Sequence, residues 1–243
     1  MNIRLAATIA TAIVIIAGFA MISPLFFHPE APIIKQKMML SFSVTEPHNS
    51  ADWCKNLSLI LNNYDLEATV FIAGKIAEEN PQTVLTFSNK IDIGSRTYNN
   101  VDLSKISDYS LKLQEVLAGK VAVDTVGNLD SKLFQAPYQA TDQDIYSLLN
   151  RNNITADFSY YNQYNLFYDG QFVKFDSKTY DAQDYEPIFF LSLPTTNQPI
   201  ILSFDNSCPT SEIDAYLSEM IHGNFDFINA SRMTGLPLTI RGN

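Results

Sequence analysis

Residues 38–72 decide the fold, and they read MMLSFSVTEPHNSADWCKNLSLILNNYDLEATVFI. Residues 38–43 and 68–72 are short apolar runs of the kind that forms buried strands. Between them, Ser50 can cap a helix that continues through about Leu61. A strand, a helix and a second strand at this spacing predict two parallel strands joined by a crossover helix.

The same alternation continues along the chain. It predicts further strands at residues 91–95, 133–134, 155–160, 189–193, 200–204 and 225–229. It predicts further helices after Asn80-Pro81, from Ser107 to Gly119, after Thr141 and from Ser211. About seven such units favour a closed or nearly closed α/β barrel. In a barrel of this type the loops after the strands form the functional face, here residues 43–48, 95–100, 134–139 and 204–208.

The composition restricts the partners. The 243 residues include 16 Lys plus Arg against 26 Asp plus Glu, a formal charge of −10, and 46% are hydrophobic. This excludes a disordered acidic tail. The negative field repels phosphate backbones and anionic lipid surfaces, so nucleic acid is not an expected partner. Uncharged or cationic ligands fit better.

The N-terminal stretch predicts a membrane anchor. Residues 5–27 contain no charged side chain, and 23 residues of helix span about 35 Å, enough for a hydrocarbon core of about 30 Å. We therefore expect an anchor at residues 1–27, a linker at 28–37 and one domain at 38–243. Arg4 favours an inside N-terminus, which places the domain outside the cytoplasm. The alternative is a cleaved signal and a secreted domain, with Gly18-Phe19-Ala20 as the cleavage site.

Cys54 and Cys208 are the only cysteines. In an exported domain they could form a disulfide, and the alternative is two separate buried thiols.

Four segments on the predicted functional face resemble the NodB-homology polysaccharide deacetylases of carbohydrate esterase family four. They are Leu40-Ser41-Phe42, EATVFIAG at residues 67–74, IGSRTYNN at 93–100 and LFQAPY at 133–138. The resemblance covers about residues 38–204. It implies a distorted (β/α) barrel and an ancestral substrate class of N-acetylated or O-acetylated sugar polymers. It also implies a divalent metal, usually zinc, held by one Asp and two His, with a second Asp as the base.

This chain departs from the family at each of those reactive positions. Ser43 stands at the position of the base, and Val44 at the position of the metal-binding carboxylate. Arg96 and Asn100 stand where the family has its two histidines. The other positions that the resemblance marks are Gln135 in place of an arginine, the retained Tyr138, and Phe204 in place of a late histidine.

These substitutions predict that the zinc of the family is lost. Val44 cannot ligate a metal, and Arg96 places a permanent cation where a dication would bind. We therefore expect no cofactor and a catalytically inactive pseudoenzyme, retained to bind a cell-surface glycan or an envelope protein. Arg96 would donate hydrogen bonds to that ligand, or it would pair structurally with Asp92 or Asp205.

Two other functions remain open from the sequence. One is an active carbohydrate deacetylase or esterase whose site is rebuilt around Ser43, His48 and Arg96. The other is a structural envelope subunit without a small ligand.

Residues 158–185 contain ten aromatic side chains. Rings of this kind, beside Asn and Gln, suit the faces and hydroxyl groups of sugars, which makes Tyr160 and Tyr164 candidate ligand-binding residues together with Arg96 and Tyr138. The alternative is a hairpin that buries its own rings over the barrel.

Overall fold

The computed structural model describes residues 34–140 and 143–242, and the chain from Lys35 onward forms one compact unit. The predicted membrane segment and the first residues of the predicted linker lie outside the described residues. Within the described ranges, no helix has both the length and the apolar character needed to cross a bilayer.

The strands that the structure describes follow the predicted alternation. They are β1 (Gln36–Val44), β2 (Ala68–Ile72), β3 (Ile91–Ser95), β4 (Leu129–Ser131), β5 (Leu133–Phe134), β6 (Ala156–Tyr160), β7 (Gln163–Tyr168), β8 (Gln171–Asp176), β9 (Lys178–Asp181), β10 (Ile200–Asp205), β11 (Phe225–Ile228) and β12 (Thr239–Arg241). The α-helices are α1 (Ser50–Asn63), α2 (Gly74–Glu79), α3 (Gln82–Leu85), α4 (Tyr109–Gly127), α5 (Gln143–Arg151), α6 (Pro187–Leu191), α7 (Thr210–Met220) and α8 (Ala230–Thr234).

The main sheet has the strand order β8-β7-β6-β5-β3-β2-β1-β10-β9, and β11 pairs with the first half of β1. All of its pairings are parallel except the two antiparallel ones, between β6 and β7 and between β7 and β8. The two ends of the sheet approach each other at Asn162, whose carbonyl and side-chain oxygens accept hydrogen bonds from the N–H groups of Ser177 at 3.2 Å and Thr179 at 2.9 Å. The sheet is therefore a nearly closed barrel, as predicted.

Strand β1 separates two cores. Its even-numbered residues Met38, Leu40, Phe42 and Val44 are fully buried in the larger core, which also contains apolar residues of α1 and α7. Met39 belongs to a second core with side chains from β2, β5, β6 and β7. This alternation follows from the two-residue period of a strand. It leaves the other odd-numbered positions of β1 on the inner side of the barrel.

Two sequence predictions fail for identifiable reasons. Helix α4 does not end at Gly119 but continues to Gly127. Gly119 is needed there because a Cβ atom at this position would lie 2.1 Å from the carbonyl oxygen of Arg96. The predicted strand at residues 189–193 is instead the short helix α6, which begins with Pro187 at its first position, a place where proline is favoured.

Two smaller predictions are also resolved. Strand β1 begins at Gln36, two residues before its predicted start, so the end of the predicted linker is part of the sheet. Cys54 and Cys208 are separate buried thiols, and burial raises the pKa of both, that of Cys54 to about 12. The pairing that the sequence left open is absent from this structure.

Candidate functional site

A pocket of about 520 Å³ opens at the carboxyl ends of the central strands. It is lined by polar side chains from the loops after β1, β3, β5, β9 and β10. Its lining includes Ser43, Glu46, Arg96, Asn100, Gln135, Tyr138, Tyr161, Asp181, Phe204 and Asp205. The face that the barrel topology predicts is therefore the face that carries the pocket.

Arg96 is the centre of the polar network in this pocket. Its Nη1 donates to Oε1 of Gln135 at 2.5 Å and to Oγ of Ser43 at 3.1 Å, and its Nε donates to Oδ1 of Asn100 at 3.1 Å. Oγ of Ser43 donates in turn to Oε1 of Gln135 at 2.8 Å. Four of the positions that the sequence marked as vestigial are thus brought together around one guanidinium group.

The loops hold this network in place through backbone contacts. The N–H of Arg96 donates to the carbonyl of Ile72 at 2.9 Å, and the N–H of Gln135 donates to the carbonyl of Ser95 at 3.1 Å. Asn100 has a positive φ of 55°. Its neighbour Asn99 is fixed to Glu115 of α4 by its N–H at 2.9 Å and its Nδ2 at 2.7 Å.

The charge of Arg96 is largely desolvated, although the residue lines the pocket. The side chain is buried, with 6% of its surface exposed, and desolvation lowers its pKa to about 10, while the negative charge of Asp205 acts in the opposite direction. The group remains protonated at neutral pH. The described residues give Arg96 hydrogen bonds but no ion pair with Asp92 or Asp205. Asp92 is used elsewhere, where its Oδ2 accepts from the N–H of Ser231 at 2.6 Å.

The side chains of this network do not fit a zinc ion. Zinc is held by imidazole, thiolate or carboxylate groups, whereas the network offers a hydroxyl, two amides and a guanidinium. No cluster of three His, Cys, Asp or Glu side chains suited to a metal occurs in the described ranges.

Two of the marked positions face away from the network. Val44 is fully buried in the larger core and does not line the pocket. The even-numbered residues of β1, including Val44, point to the side of the sheet that carries this core. Phe204 borders the pocket, but its ring stacks on Phe42 at 5.3 Å and packs edge-on against Tyr216 at 5.6 Å. Both positions contribute to packing.

The aromatic candidates separate in the same way. Tyr138 is 75% exposed and lines the pocket. Tyr164 is 6% exposed and stacks between Phe158 at 5.2 Å and Phe175 at 5.5 Å, so the structure places it in the core and not in the pocket. Tyr160 is half-buried, and its hydroxyl group hydrogen-bonds to that of Tyr146 on α5.

The rebuilt hydrolytic site is not assembled in this structure. His48 is exposed in the loop after β1 and does not line the pocket with Ser43. The hydroxyl group of Ser43 donates to Gln135 rather than to an imidazole. A serine nucleophile needs a base that accepts its proton, and Gln135 cannot serve as one.

Four residues of the pocket were not among the predicted ligand-binding residues, although Asp205 was considered as a partner of Arg96. Glu46, Asp181, Asp205 and Tyr161 line it in addition to the predicted residues. Asp181 and Asp205 each follow the last apolar residues of a strand, and each accepts a hydrogen bond from the N–H two residues later, at 3.0 and 2.8 Å. An aspartate at a strand end is the signal that could have identified them.

A second series of hydrogen bonds supports the loop after β5. The N–H of Ala136 donates to Oγ of Ser159 at 2.7 Å, and Oγ and N–H of Ser159 both donate to Oδ1 of Asp157, the latter at 3.0 Å. Asp157 has no exposed surface, and desolvation raises its pKa to about 6. This chain fixes the backbone between Gln135 and Tyr138.

Comparison with known proteins identifies the scaffold. The sequence profile described as polysaccharide deacetylase matches residues 34–156, slightly more than half of the chain. Among curated proteins, none matches the sequence.

Solved structures share the fold at low sequence identity. A family 4 carbohydrate esterase pseudoenzyme from Bacillus anthracis aligns at 14% identity and a TM-score of 0.60, with 84% of this chain and 66% of that chain covered. The peptidoglycan deacetylase PdaC from Bacillus subtilis aligns at 12% and 0.60, covering 84% and 93%. A family 4 carbohydrate esterase from Streptomyces lividans, solved with acetate, aligns at 18% and 0.56, covering 86% and 92%. Together with the matching profile, these observations place the chain in the polysaccharide deacetylase family.

Proposed function

We propose that this protein is a metal-free member of its family that binds a glycan without hydrolysing it. The observation that carries the proposal is the position of Arg96, whose buried guanidinium holds Ser43, Gln135 and Asn100 at the centre of the pocket. The site thus presents hydrogen-bond donors where the family resemblance implies a metal and its base.

Electrostatics disfavours a metal beside Arg96. Two like charges a few ångströms apart repel by several kcal/mol at the effective dielectric constant of a protein site, and none of the three network partners is a carboxylate or an imidazole. Reversing the loss would therefore require removal of the arginine as well as addition of ligands. The Bacillus anthracis relative is described as a pseudoenzyme, and one mutant of that protein as having restored activity. This supports the idea that the fold persists without its chemistry.

The lining of the pocket supports a sugar as the ligand. Arg96 can donate hydrogen bonds to the hydroxyl groups of a sugar, and Asp181 and Asp205 can accept hydrogen bonds from them. The exposed ring of Tyr138 supplies an apolar face. Sugars carry both hydroxyl groups and apolar C–H faces, so they match a site with convergent polar groups and an aromatic wall. The net negative charge of the chain favours an uncharged or cationic polymer over an anionic one.

The N-terminal segment supports a location at the cell surface. We propose that residues 1–27 anchor the domain outside the cytoplasm, where it meets an envelope glycan. Alkaline extraction of membranes tests this. The full chain should remain in the membrane fraction after this extraction. In a second experiment, protease added to cells whose outer envelope layers have been removed should digest the domain. Recovery of a shortened chain in the medium would support the secreted alternative.

Binding to N-acetylated chito-oligosaccharides, measured by isothermal titration calorimetry, tests the proposed function. We expect saturable binding that Arg96→Lys weakens about tenfold, because lysine lacks the planar fork that contacts several acceptors. Tyr138→Ala should also weaken binding while leaving the fold intact, since the ring is 75% exposed. Arg151→Lys, at an exposed position of α5, is the matched control and should bind as the wild type does. Absence of binding by the wild-type protein would contradict the proposal.

Release of acetate from acetylated chito-oligosaccharides distinguishes the hydrolytic alternative from binding without hydrolysis. The position of Ser43 in the pocket is the one observation that favours a serine-based esterase. Acetate release that continues in EDTA and disappears in Ser43→Ala would establish that activity and overturn the pseudoenzyme. We expect no release above that of a heat-denatured sample.

A further inference from the structure

The hairpin of β7 and β8 ends the main sheet with an unpaired edge. Strand β8 stands at one end of the strand order, and among the described strands only β7 pairs with it. Five of its six residues are exposed. The backbone groups along such an edge have no partner in the sheet, and an edge of this kind can pair with a strand of another chain.

The register of this hairpin is fixed by its turn. Asp169 and Gly170 form the turn with positive φ values of 48° and 76°. This is the conformation of the type I′ turn, whose twist matches that of the two strands. From the turn, the residue pairs run without a bulge to Gln163 and Asp176. The backbone groups that face outward can therefore be assigned residue by residue.

The backbone groups of alternate residues face the free edge. The N–H of Ser177 donates to the carbonyl of Asn162 at 3.2 Å and continues the ladder between β7 and β8. In an antiparallel pair, every second residue of a strand bonds to the same neighbour. The backbone groups of residues 171, 173 and 175 therefore also face β7, and the groups that face outward belong to Phe172, Lys174 and Asp176.

The side chains of this edge combine apolar surface with both charges. Val173 and Phe175 are each 39% exposed on one face of the hairpin. Lys174 and Asp176 are exposed on the other face, and neither takes part in an ion pair among the described residues. A lysine on an edge strand commonly protects it from pairing. Here the lysine lies two residues from an aspartate on the same face, so the charges of the edge are complementary to themselves.

We propose that two copies of this chain pair along β8, as antiparallel strands related by a two-fold axis at Phe175. In this register Lys174 of each copy faces Asp176 of the other, and the outward backbone groups of these two residues form the hydrogen bonds between the copies. The two-fold axis makes each contact twice. If the axis lay at Lys174 instead, the two lysines would face each other, and like charges directly opposite are destabilising. The charges thus select one register.

A second copy is the partner that the edge itself specifies. Any extended segment could bond to the backbone groups, but both charges are satisfied only by a strand that carries an aspartate two residues after a lysine, and β8 is such a strand. The contact is small, because it involves residues 173–177 of each copy, whereas stable interfaces use about 20–30 residues on each side. We therefore expect a dimer that dissociates readily on dilution. The inference does not depend on glycan binding.

Disulfide trapping tests the position of the axis. The two copies of Phe175 would form a pair without mutual hydrogen bonds, whose Cα atoms are about 4.5 Å apart, a distance that a disulfide can span. The full chain with Phe175→Cys, purified in detergent and mildly oxidised, should therefore give a disulfide-linked dimer. Cys54 and Cys208 are buried, so the wild type should stay monomeric under denaturing electrophoresis. Tyr168→Cys, at a 72% exposed position beside the turn, is the matched control and should also stay monomeric.

Charge exchange tests the register without a change at Phe175, whose ring also packs on Tyr164. Sedimentation of the full chain in detergent over a series of concentrations gives the dissociation constant of the dimer. Lys174→Asp and Asp176→Lys should each weaken dimerisation by about tenfold, because each turns two pairs of opposite charges into two pairs of like charges. The double exchange should return the constant to near its wild-type value. Lys55→Asp, at an exposed position of α1, is the control and should leave the constant unchanged.

Three results would overturn the pairing of β8 with itself. One is equally strong dimerisation of the wild type and both single charge variants, since this would place the contact elsewhere on the chain. The second is the absence of both a concentration-dependent dimer in the wild type and a disulfide in Phe175→Cys. The third is capture of a different protein by Phe175→Cys in place of a second copy, which would assign the edge to another partner.

Discussion

Arg96 and Asp157 show how single residues set the properties of the pocket. Arg96 brings a positive charge into a largely desolvated position, and it is accommodated there by three hydrogen-bond acceptors and by the more distant charge of Asp205. Asp157 brings a negative charge into the protein interior, where it supports the loop after β5 through Ser159. Burial of each charge costs free energy of desolvation, and the hydrogen bonds of each residue hold groups of the site in position.

The penalty at Asp157 predicts a pH dependence of stability. A raised pKa in the folded state means that the folded protein binds this proton more tightly than the unfolded chain does. The stabilisation is complete below the ordinary pKa of 3.8 and is lost as the pH rises through about 6. The shift corresponds to roughly 3 kcal/mol above that range. Asp157→Asn should therefore stabilise the protein at pH 7, with a gain over the wild type that grows between about pH 4 and 6 and then stays constant.

Urea unfolding of both proteins across this pH range measures the difference. The substitution keeps an oxygen that can accept from Ser159, and the new amide group faces the side-chain amide of Asn165, the paired residue on the neighbouring strand. The difference in unfolding free energy between Asp157→Asn and the wild type should grow from pH 4 to pH 6. If it stays constant or decreases, Asp157 does not have a raised pKa in the folded protein.

At the scale of elements, the close approach of α4 to the loop after β3 positions Arg96. Gly119 allows this approach, and Gly74 of α2 meets it from the other side, where an added Cβ atom would lie 2.6 Å from the Cα of Gly119. The N–H of Tyr98 donates to the carbonyl of Glu115 at 2.9 Å, which links the loop to the helix. The helix therefore acts as a support for the residue at the centre of the site.

Gly119→Ala tests this support. Alanine favours a helix over glycine by about 1 kcal/mol, but its Cβ would lie 2.1 Å from the carbonyl oxygen of Arg96, so the loop must shift. We expect a net loss of about 1–3 kcal/mol in unfolding free energy together with weaker oligosaccharide binding. Thr125→Ala, at an exposed position of the same helix, should be neutral or slightly stabilising. A stabilised Gly119→Ala variant with unchanged binding would show that the contact does not constrain the loop.

The sequence predicted those elements that depend on local pattern. The strands at residues 38–43, 68–72, 91–95 and 200–204 are almost entirely buried and were located to within two residues at either end. Helix α4 was cut short at Gly119 because the reason for that glycine is a contact with a distant loop, which no local pattern contains. The same limit applies to the aromatic segment. Ring density indicated that rings matter there, but only the sheet register distinguishes buried Tyr164 from exposed Tyr161.

At the scale of the whole molecule, a nearly closed barrel brings together residues that are far apart in the sequence. Ser43, Arg96 and Gln135 come from three strand ends, and they meet in one hydrogen-bond network at positions that the resemblance to the deacetylases had marked. Val44 did not meet them, because the pleat of β1 turns it toward the outer core. The gap in the barrel beside β9 was not predictable, since it depends on how the last strands approach the β6–β7 turn. A cavity of about 450 Å³ is lined in part by residues of β9, which ends the sheet on this side.

The zinc content of the protein tests the proposed loss of the metal site. If Arg96 and its three partners have replaced the metal centre of the family, as we propose, the protein purified without chelator and then equilibrated with zinc should retain none after desalting. Elemental analysis by mass spectrometry gives the metal-to-protein ratio. We expect a ratio near zero, whereas a ratio near one that falls on substitution of residues around the pocket would show that the protein has kept a metal site.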